Sequence, residues 1–600
     1  MSDTHRISPT SPLGEVEHAT LLSHDIGNMY CNEEYSNITL IVEGRHFHAH
    51  KDILAARCHY FRALLFGGLR ESDPECRTIE LKDTNAQAFE TLLKYIYMGR
   101  VNLLDLREDI LLDVMGLAHQ YGFAELEGAI SGYLRAILSI HNVCLIYDVA
   151  TLYSLDSLKQ TCYMYMDSNA EDVMASEGFL SLSESALREV ISRDSFYASE
   201  VQIFKAVERW SEANPKADIT EIVKAIRLPL MNYDELLKVV RPSNLLCPNA
   251  ILDAIEEKYE RKDADLNYRG VLIPDENVGT VKYKAKVMKG EMRTALLDGD
   301  SINYDLDRGF TRHSIEDDAE PEGIVIELGK PSILNTIKLL LWDRDNRSYS
   351  YYIEASVDEK DWVKVVDHRT YLCRSWQNLH FQPRVCKFIR IVGTFNSTNK
   401  VFHLVSFECC FTTKHFELDR DTGLIIPVEN MATINNSAIV IEGVSRSRNA
   451  LLNGDTKSYD WDSGYTCHQL GSGSIVVQLS QPYVVSSMRL LLWDCDARTY
   501  SYYVEVSTNQ QNWCKVADKT KDQCRSWQTL HFEPRPVTFI RIVGTRNTAN
   551  EVFHCVHFEC PANPTDPPQS KHSDPDTGDA LPSPTPPITL NFPPSTGQRN

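Results

Sequence analysis

Polar and apolar positions along the chain change period four times. Asn37-Ile-Thr-Leu-Ile-Val-Glu43 is rich in β-branched residues and is followed by the polar turn Glu43-Gly44-Arg45, which predicts a hairpin strand. From His50 the period becomes helical: Leu54, Cys58, Phe61 and Leu65 fall on one face of a single predicted helix. Ile79-Glu-Leu81 reads as another short strand. Phe89, Leu92, Leu93 and Ile96 form a helical stripe with Gly99 as its C-cap, and Leu111, Val114, Leu117, Ala118 and Tyr121 form the next, ending at Gly122. Beyond residue 140 the pattern is helical throughout. One stripe starts at Asn142-Val-Cys144 and runs through Tyr147 to Leu152. Leu187 and Val190 mark a second. Ser199 with Gln202 fits a capping box, ahead of a helix faced by Ile203, Val207 and Trp210.

After residue 270 the period shortens to strands and the chain repeats itself. Trp342-Asp343 recurs as Trp493-Asp494, Tyr349-Ser-Tyr-Tyr352 as Tyr500-Ser-Tyr-Tyr503, and Cys373-Arg-Ser-Trp-Gln377 as Cys524-Arg-Ser-Trp-Gln528. Phe388-Ile-Arg-Ile-Val-Gly-Thr394 recurs as Phe539-Ile-Arg-Ile-Val-Gly-Thr545, at the same spacing and without a gap, which marks a duplication. The repeat reaches back, with small gaps, to Gly270-Val-Leu-Ile-Pro274 and Gly423-Leu-Ile-Ile-Pro427. In each unit short β runs such as Ile324–Leu328, Thr336–Leu341, Tyr351–Ser356 and Phe388–Val392 predict a sandwich or jelly roll with its own core.

The 600 residues suggest about four domains. The net charge of −22 argues against nucleic acid and anionic membranes as main partners. No apolar run approaches the roughly 20 residues of a membrane-spanning helix. The polar start, Met1 to Thr20, is not expected to be a secretory signal. The 16 cysteines are dispersed and no CxxC occurs, so a reducing compartment is expected and structural zinc is not. The stretch from Pro561 to Asn600 holds 11 of the 26 prolines and is expected to be disordered, as are the first 20 residues.

The run Phe47-His-Ala-His-Lys-Asp-Ile-Leu-Ala-Ala-Arg-Cys-His-Tyr-Phe-Arg62, with Tyr95-Ile-Tyr97 and Gly99 later, resembles the BTB/POZ domain. The helical array after it resembles the BACK domain. The Asp-Gly-Asp turn, the Leu-Gly-Lys-Pro corner, the Tyr-rich strand, Trp362 and the Phe-Ile-Arg-Ile run resemble the discoidin, or coagulation factor type C, fold. The expected architecture is therefore multidomain α+β: a disordered N-terminus (1–20), a BTB/POZ α/β domain (21–135), an all-α BACK domain (136–258), tandem discoidin-like β-sandwich, or jelly-roll, domains (270–410 and 423–561) and a disordered Pro-rich tail (562–600).

The resemblance implies an adaptor that pairs as a homodimer through the first BTB helix, about Leu21 to Tyr30, works in the cytoplasm and carries protein substrates to cullin-3. Leu69-Arg70-Glu71 resembles the hydrophobic-x-Glu motif by which BTB adaptors bind cullin-3: Leu69 would fill an apolar pocket and Glu71 accept hydrogen bonds at its rim. BTB transcription factors carry Asp at the position of Asn37 and Arg at that of Lys51, so the charged pocket of those proteins is altered. Secreted discoidin domains staple their ends by a disulfide. Cys409 and Cys560 stand at the C-terminal ends, but no cysteine stands near Gly270 or Gly423, so no staple is expected. The loops Asp298-Gly-Asp300 and Asn453-Gly-Asp455 are polar, unlike the apolar tips of membrane-binding members.

No catalytic motif, cofactor site or metal site is expected. His46, His48 and His50 read as a packing segment rather than ligands, and Asp343 with Asp345 as a solvated pair. Arg347/Arg498, Arg374/Arg525, His380/His531 and His403/His554 recur in both units and read as fold requirements, Trp376 and Trp527 as core, and Arg390 and Arg541 as partners of local carboxylates. Alternatives are a ligase-independent scaffold, a glycan or lipid binder using the discoidin-like domains, and an enzyme of the double-sandwich kind, resembling allantoicase in fold alone.

Overall fold

The structure, a computed structural model, describes residues 18–68, 73, 77–260, 266–315, 323–447 and 449–562. Leu69-Arg70-Glu71, most of the N-terminal segment and the tail from residue 563 lie outside the described residues.

Helix α1 (Ala19–Asn28) leads into the antiparallel hairpin β1 (Ile38–Val42) and β2 (Arg45–Ala49). Glu43 and Gly44 both take positive φ, 48° and 74°, the geometry that matches a tight turn to the twist of the strands. Helices α2 (Lys51–Arg57) and α3 (His59–Phe66) follow, then β3 (Thr78–Glu80), parallel to β1. The helices α4 (Ala86–Met98), α5 (Glu108–Tyr121) and α6 (Ala124–Ala136) complete this unit. Asn85 caps α4 by accepting from the Gln87 and Ala88 N–H groups, and α4 and α5 end on left-handed Gly99 and Gly122.

The single helix expected through Leu54, Cys58, Phe61 and Leu65 is two. All four side chains are buried, but Cys58 is extended (φ −140°, ψ 121°). Its thiol donates to the Tyr121 carbonyl at 3.3 Å, so a contact with the end of α5 accompanies the break between α2 and α3. Asn37 has a job of its own: its side chain accepts the Lys51 N–H at 2.8 Å, satisfying a free donor at the start of α2.

The next region is helical: α7 (Val143–Leu152), α8 (Asp156–Ser168), α9 (Ala170–Ala175), α10 (Glu177–Leu180), α11 (Glu184–Ser192), α12 (Glu200–Ala213) and α13 (Thr220–Lys224), with a later helix at Pro248–Glu260. The Ser199/Gln202 capping box is formed. Ile203, Val207 and Trp210 are buried, and the Trp210 indole donates to the Leu182 carbonyl at 3.0 Å. Leu152 departs from the expected stripe: it is exposed, and Ala150 is the last buried residue of α7. One continuous apolar core runs from Ile38 to Ala254, so the first two regions share their interior.

The repeats are two antiparallel sandwiches. The first contains β4 (Lys286–Lys289), β5 (Thr311–Ser314), β6 (Ile324–Leu341), β7 (Tyr349–Ser356), β8 (Val363–Cys373), β9 (Trp376–Asn396) and β10 (Val401–Cys410), in the order β5-β10-β6-β9-β7-β8 with β4 beside β6. The second contains β11 (Ile439–Glu442), β12 (Val444–Ser445), β13 (Thr466–Gln469), β14 (Ile475–Leu492), β15 (Tyr500–Ser507), β16 (Cys514–Cys524), β17 (Trp527–Asn547) and β18 (Val552–Glu559), in the order β12-β13-β18-β14-β17-β15-β16 with β11 beside β14. The separate strands expected at Ile324–Leu328 and Thr336–Leu341 are one. The Leu-Gly-Lys-Pro corner is a register shift between Glu327 and Ser332 that bends β6 without ending it. Each sandwich has its own core. Trp376 and Trp527 are half-buried, each against a small outer cluster, and so are not core residues as expected. Cys373, Cys409, Cys524 and Cys560 are unpaired and buried.

Candidate interaction surfaces

Helix α1 is attached along one side only. The Ser23 hydroxyl donates to the Met98 carbonyl at 2.8 Å, and Ile26, Met29 and Tyr30 pack on the core. Leu21 and Leu22 are 56% and 62% exposed, an apolar pair open to a partner. The three histidines do not converge. His46 is exposed, His48 lies 3.3 Å from the Thr39 hydroxyl, and buried His50 shares a 2.9 Å hydrogen bond with the Tyr97 hydroxyl.

Most residues shared by the two sandwiches are tied to their own scaffold. Arg390 grips Glu354 with two hydrogen bonds, 2.8 and 2.5 Å, and lies 4.4 Å from the Trp362 ring centre. Arg541 does the same with Glu505 and Trp513. Arg347 forms a fork on Asp345 and covers Trp342, while Arg498 forms one on Asp496 and covers Trp493. Arg374 and Arg525 donate to the carbonyls of the Asp343–Asp345 and Asp494–Asp496 turns. His403 and His554 each lie 3.3 Å from a buried tyrosine hydroxyl, Tyr349 and Tyr500. Burial, with the nearby Arg347 or Arg498 charge, lowers both imidazoles to about 4. The pair His380/His531 does not follow the rule. His380 stacks on Phe416 at 3.6 Å and touches the Thr336 hydroxyl at 3.0 Å, and burial lowers it to about 4, whereas His531 is exposed.

The loop tips differ from the polar surface expected. Ile302 and Leu306 in the first sandwich are 74% and 72% exposed, and Trp461 in the second is 62% exposed. They lie just beyond the Asp-Gly-Asp and Asn-Gly-Asp turns on which the polar reading rested. Asp305 and Asp460 hold the following turns, 305–308 and 460–463, through their own side chains, and their carbonyls accept the Trp342 and Trp493 indoles at 2.8 Å. Trp461 lies 4.7 Å from Trp493 with Arg498 beside it. The signal was present as an aromatic residue between two turn aspartates, Asp460-Trp461-Asp462.

The sandwiches are attached to the helical region through a buried ion pair. Arg269 and Glu200, with side chains 2% and 4% exposed, meet at 2.5 Å, and Arg269 also donates to the Arg193 and Ala225 carbonyls. Arg227 donates to the Asn267 carbonyl, and the Gly270 N–H to the Asp194 carbonyl. Among the described residues no helix is long and apolar enough to cross a membrane.

The BTB/POZ domain family matches residues 26–138, BACK (BTB And C-terminal Kelch) residues 143–241, and the F5/8 type C domain residues 288–406 and 434–558. BTB/POZ domain-containing protein 9 of Mus musculus is 60% identical over 605 residues, covering 100% of this chain and 98% of the relative. The chain belongs to the BTB/POZ domain-containing protein 9 family. The Drosophila melanogaster protein of that name is 53% identical over 539 residues, covering 90% of this chain and 74% of its own. Kelch-like protein 26 of Mus musculus is 27% identical over 237 residues, 39% of this chain and 38% of that protein. The domain content of the BTB/POZ domain-containing protein 9 family is that of an adaptor or binding protein rather than a catalyst.

Proposed function

We propose that this chain is a non-catalytic adaptor that brings protein substrates to cullin-3 in a ubiquitin ligase. The observation that carries the reading is the continuous core from Ile38 to Ala254, followed by the buried Arg269–Glu200 attachment of the sandwiches. Such an arm holds a cargo at a set distance from whatever the BTB unit binds, and ubiquitin transfer then gains from proximity. The apolar Leu21-Leu22 pair on α1 supports pairing of two copies, which doubles the arms and adds avidity. Leu69, Arg70 and Glu71 form the cullin-3 contact in this reading. The free buried cysteines agree with work in the cytoplasm.

The test is the double variant Leu69→Ala/Glu71→Ala in the full chain. Capture of cullin-3 is expected to fall about a hundredfold, equivalent to about 2.8 kcal/mol, while light scattering still reports the dimer. Undiminished capture would show that the motif is not the contact. Loss of residues 270–561 is expected to remove substrates from the captured set and leave cullin-3 in it.

A second reading, glycan or lipid binding by the sandwiches, is favoured by exposed Ile302, Leu306 and Trp461. A screen of the full chain against sugars and anionic vesicles separates the two, since the adaptor reading requires neither.

A further inference from the structure

The two sandwiches are near-copies, yet one face is covered in the first and bare in the second. In the first, β8 and the start of β9 receive the bend Ser480-Gln481-Pro482 of β14. The Leu372 N–H donates to the Thr508 carbonyl at 3.1 Å and the Arg374 N–H to the Ser480 carbonyl at 2.9 Å. The Gln481 carboxamide clamps the Asn378 backbone, accepting from its N–H at 2.6 Å and donating to its carbonyl at 2.8 Å. Buried Gln377 completes the contact. Its Nε2 donates to the Ser480 carbonyl at 2.8 Å while its Oε1 accepts from the Tyr351 hydroxyl at 3.0 Å.

The constant spacing of the repeat carries these positions to Gln523, Arg525, Thr529, Gln528 and Tyr502. Strand β16 ends its sheet, pairing with β15. Gln523 and Thr529 are exposed and Gln528 is half-exposed. The relay is unmade here. Gln528 keeps one bond of Gln377: its Nε2 donates to the Arg525 carbonyl at 3.0 Å, as that of Gln377 does to the Arg374 carbonyl at 2.9 Å. Where Gln377 reaches Ser480, Gln528 turns to the Trp527 carbonyl of its own strand at 2.9 Å. The Tyr502 hydroxyl, on a fully buried side chain, has no hydrogen-bond partner among the described residues. Buried polar groups are nearly always paired, so an orphan at the base of an open face points to a missing ligand group.

We propose that this face of the second sandwich docks an extended peptide segment of a partner protein, one that offers a free backbone carbonyl followed by a carboxamide side chain. The carbonyl takes the place of Ser480 against the Arg525 N–H and Gln528, and the carboxamide that of Gln481 against the Thr529 backbone. Re-aimed by the ligand, Gln528 accepts the Tyr502 hydroxyl, as Gln377 accepts that of Tyr351. A second copy of this chain is a poor occupant. Ser480-Gln481-Pro482 is engaged with its own first sandwich, and the matching bend, Gly329-Lys330-Pro331, is covered by Val271, whose N–H donates to the Pro331 carbonyl at 2.8 Å. Where the first sandwich has Val366 the second has Ala517, which leaves more room for a foreign segment. The inference goes beyond the cullin-3 reading and does not depend on it.

The probe is a fluorescent peptide of residues 478–486, Gln-Leu-Ser-Gln-Pro-Tyr-Val-Val-Ser, titrated with the full chain and read by anisotropy. Saturable binding is expected. It should weaken at least tenfold with Gln528→Ala or Ala517→Arg in the chain, or with Gln481→Ala in the peptide. Ala517 is half-buried, so its variant blocks the face without emptying the core, and unchanged circular dichroism checks both folds. No saturable binding overturns the proposal. So does binding that survives both second-sandwich variants, including the case in which it is lost only with Gln377→Ala, because the peptide then competes for the first sandwich.

Discussion

A methyl group at Gly393 would lie 2.2 Å from the Phe402 side chain, and one at Gly544 would lie 2.4 Å from Phe553. The same glycines donate their N–H groups to His313 and His468 Nε2, both at 2.9 Å. Those imidazoles then carry their proton on Nδ1, which faces a carbonyl at 2.9 Å. The Gly of each Ile-Val-Gly-Thr run is thus required by close approach. Gly393→Ala is expected to cost the first sandwich about 1–3 kcal/mol by overpacking, seen as a lower melting temperature in calorimetry, with Gly544→Ala doing the same to the second. Several neighbouring histidines are also held neutral. Burial lowers His368 to about 3 and His403 and His554 to about 4. An unfolded imidazole ionises near 6.5, so below that the unfolded chain binds more protons than the native one. Their contribution is full above pH 6.5 and is lost as pH falls through about 4. Melting temperature should therefore drop steadily across that window, by up to roughly 3 kcal/mol of stability for each histidine. His403→Gln should flatten the slope; an unchanged slope would show that this imidazole does not contribute.

Elements were legible wherever local chemistry decides them. The hairpin at Glu43-Gly44, the cap glycines Gly99 and Gly122, and the Ser199/Gln202 box each depend on residues within a turn of one another, and each stands in the structure as the pattern implied. Elements were misread where a distant group decides. The break at Cys58 accompanies a hydrogen bond to Tyr121, on another helix, which no period reveals. Gly329-Lys330-Pro331 punctuates the sequence as a turn, but pairing on both flanks carries β6 through it as a bend. The repeat fixed the fold of both sandwiches and concealed what sets them apart. Phe416 stacks on His380 alone, and the cover over Gln377 has no counterpart over Gln528. Trp461 is masked in the sequence by the polar turn residues on either side of it, Asp460 and Asp462.

At the scale of the whole molecule, the question is how the sandwiches keep their direction. Among the described residues, 267–271 tie the first sandwich to the helical region. Asn267 and Arg269 are bound by Arg227 and Glu200, and Gly270 by Asp194. Val271 is already a bridge to Ser332 of β6. These described residues leave no free joint between them, and Arg269 is their centre, since Glu200 also accepts the Arg227 N–H at 3.0 Å. Arg269→Ala strands a buried carboxylate, a change that costs about 3–5 kcal/mol. The expected result is a lower melting temperature, a larger radius of gyration by small-angle scattering, and faster proteolysis between the helical region and the first sandwich. Glu200→Leu/Arg269→Met removes both charges, and apolar replacement of a buried pair is often neutral or better. That variant should recover the melting temperature without the compact scattering profile, because the bonds from Arg269 to the Arg193 and Ala225 carbonyls are gone. Stability and alignment would then be separated in one pair of proteins. If the single variant scatters like the wild type, alignment comes from elsewhere in the junction. If the double variant melts normally and keeps the compact scattering profile, the carbonyl bonds of Arg269 are not what aligns the arm.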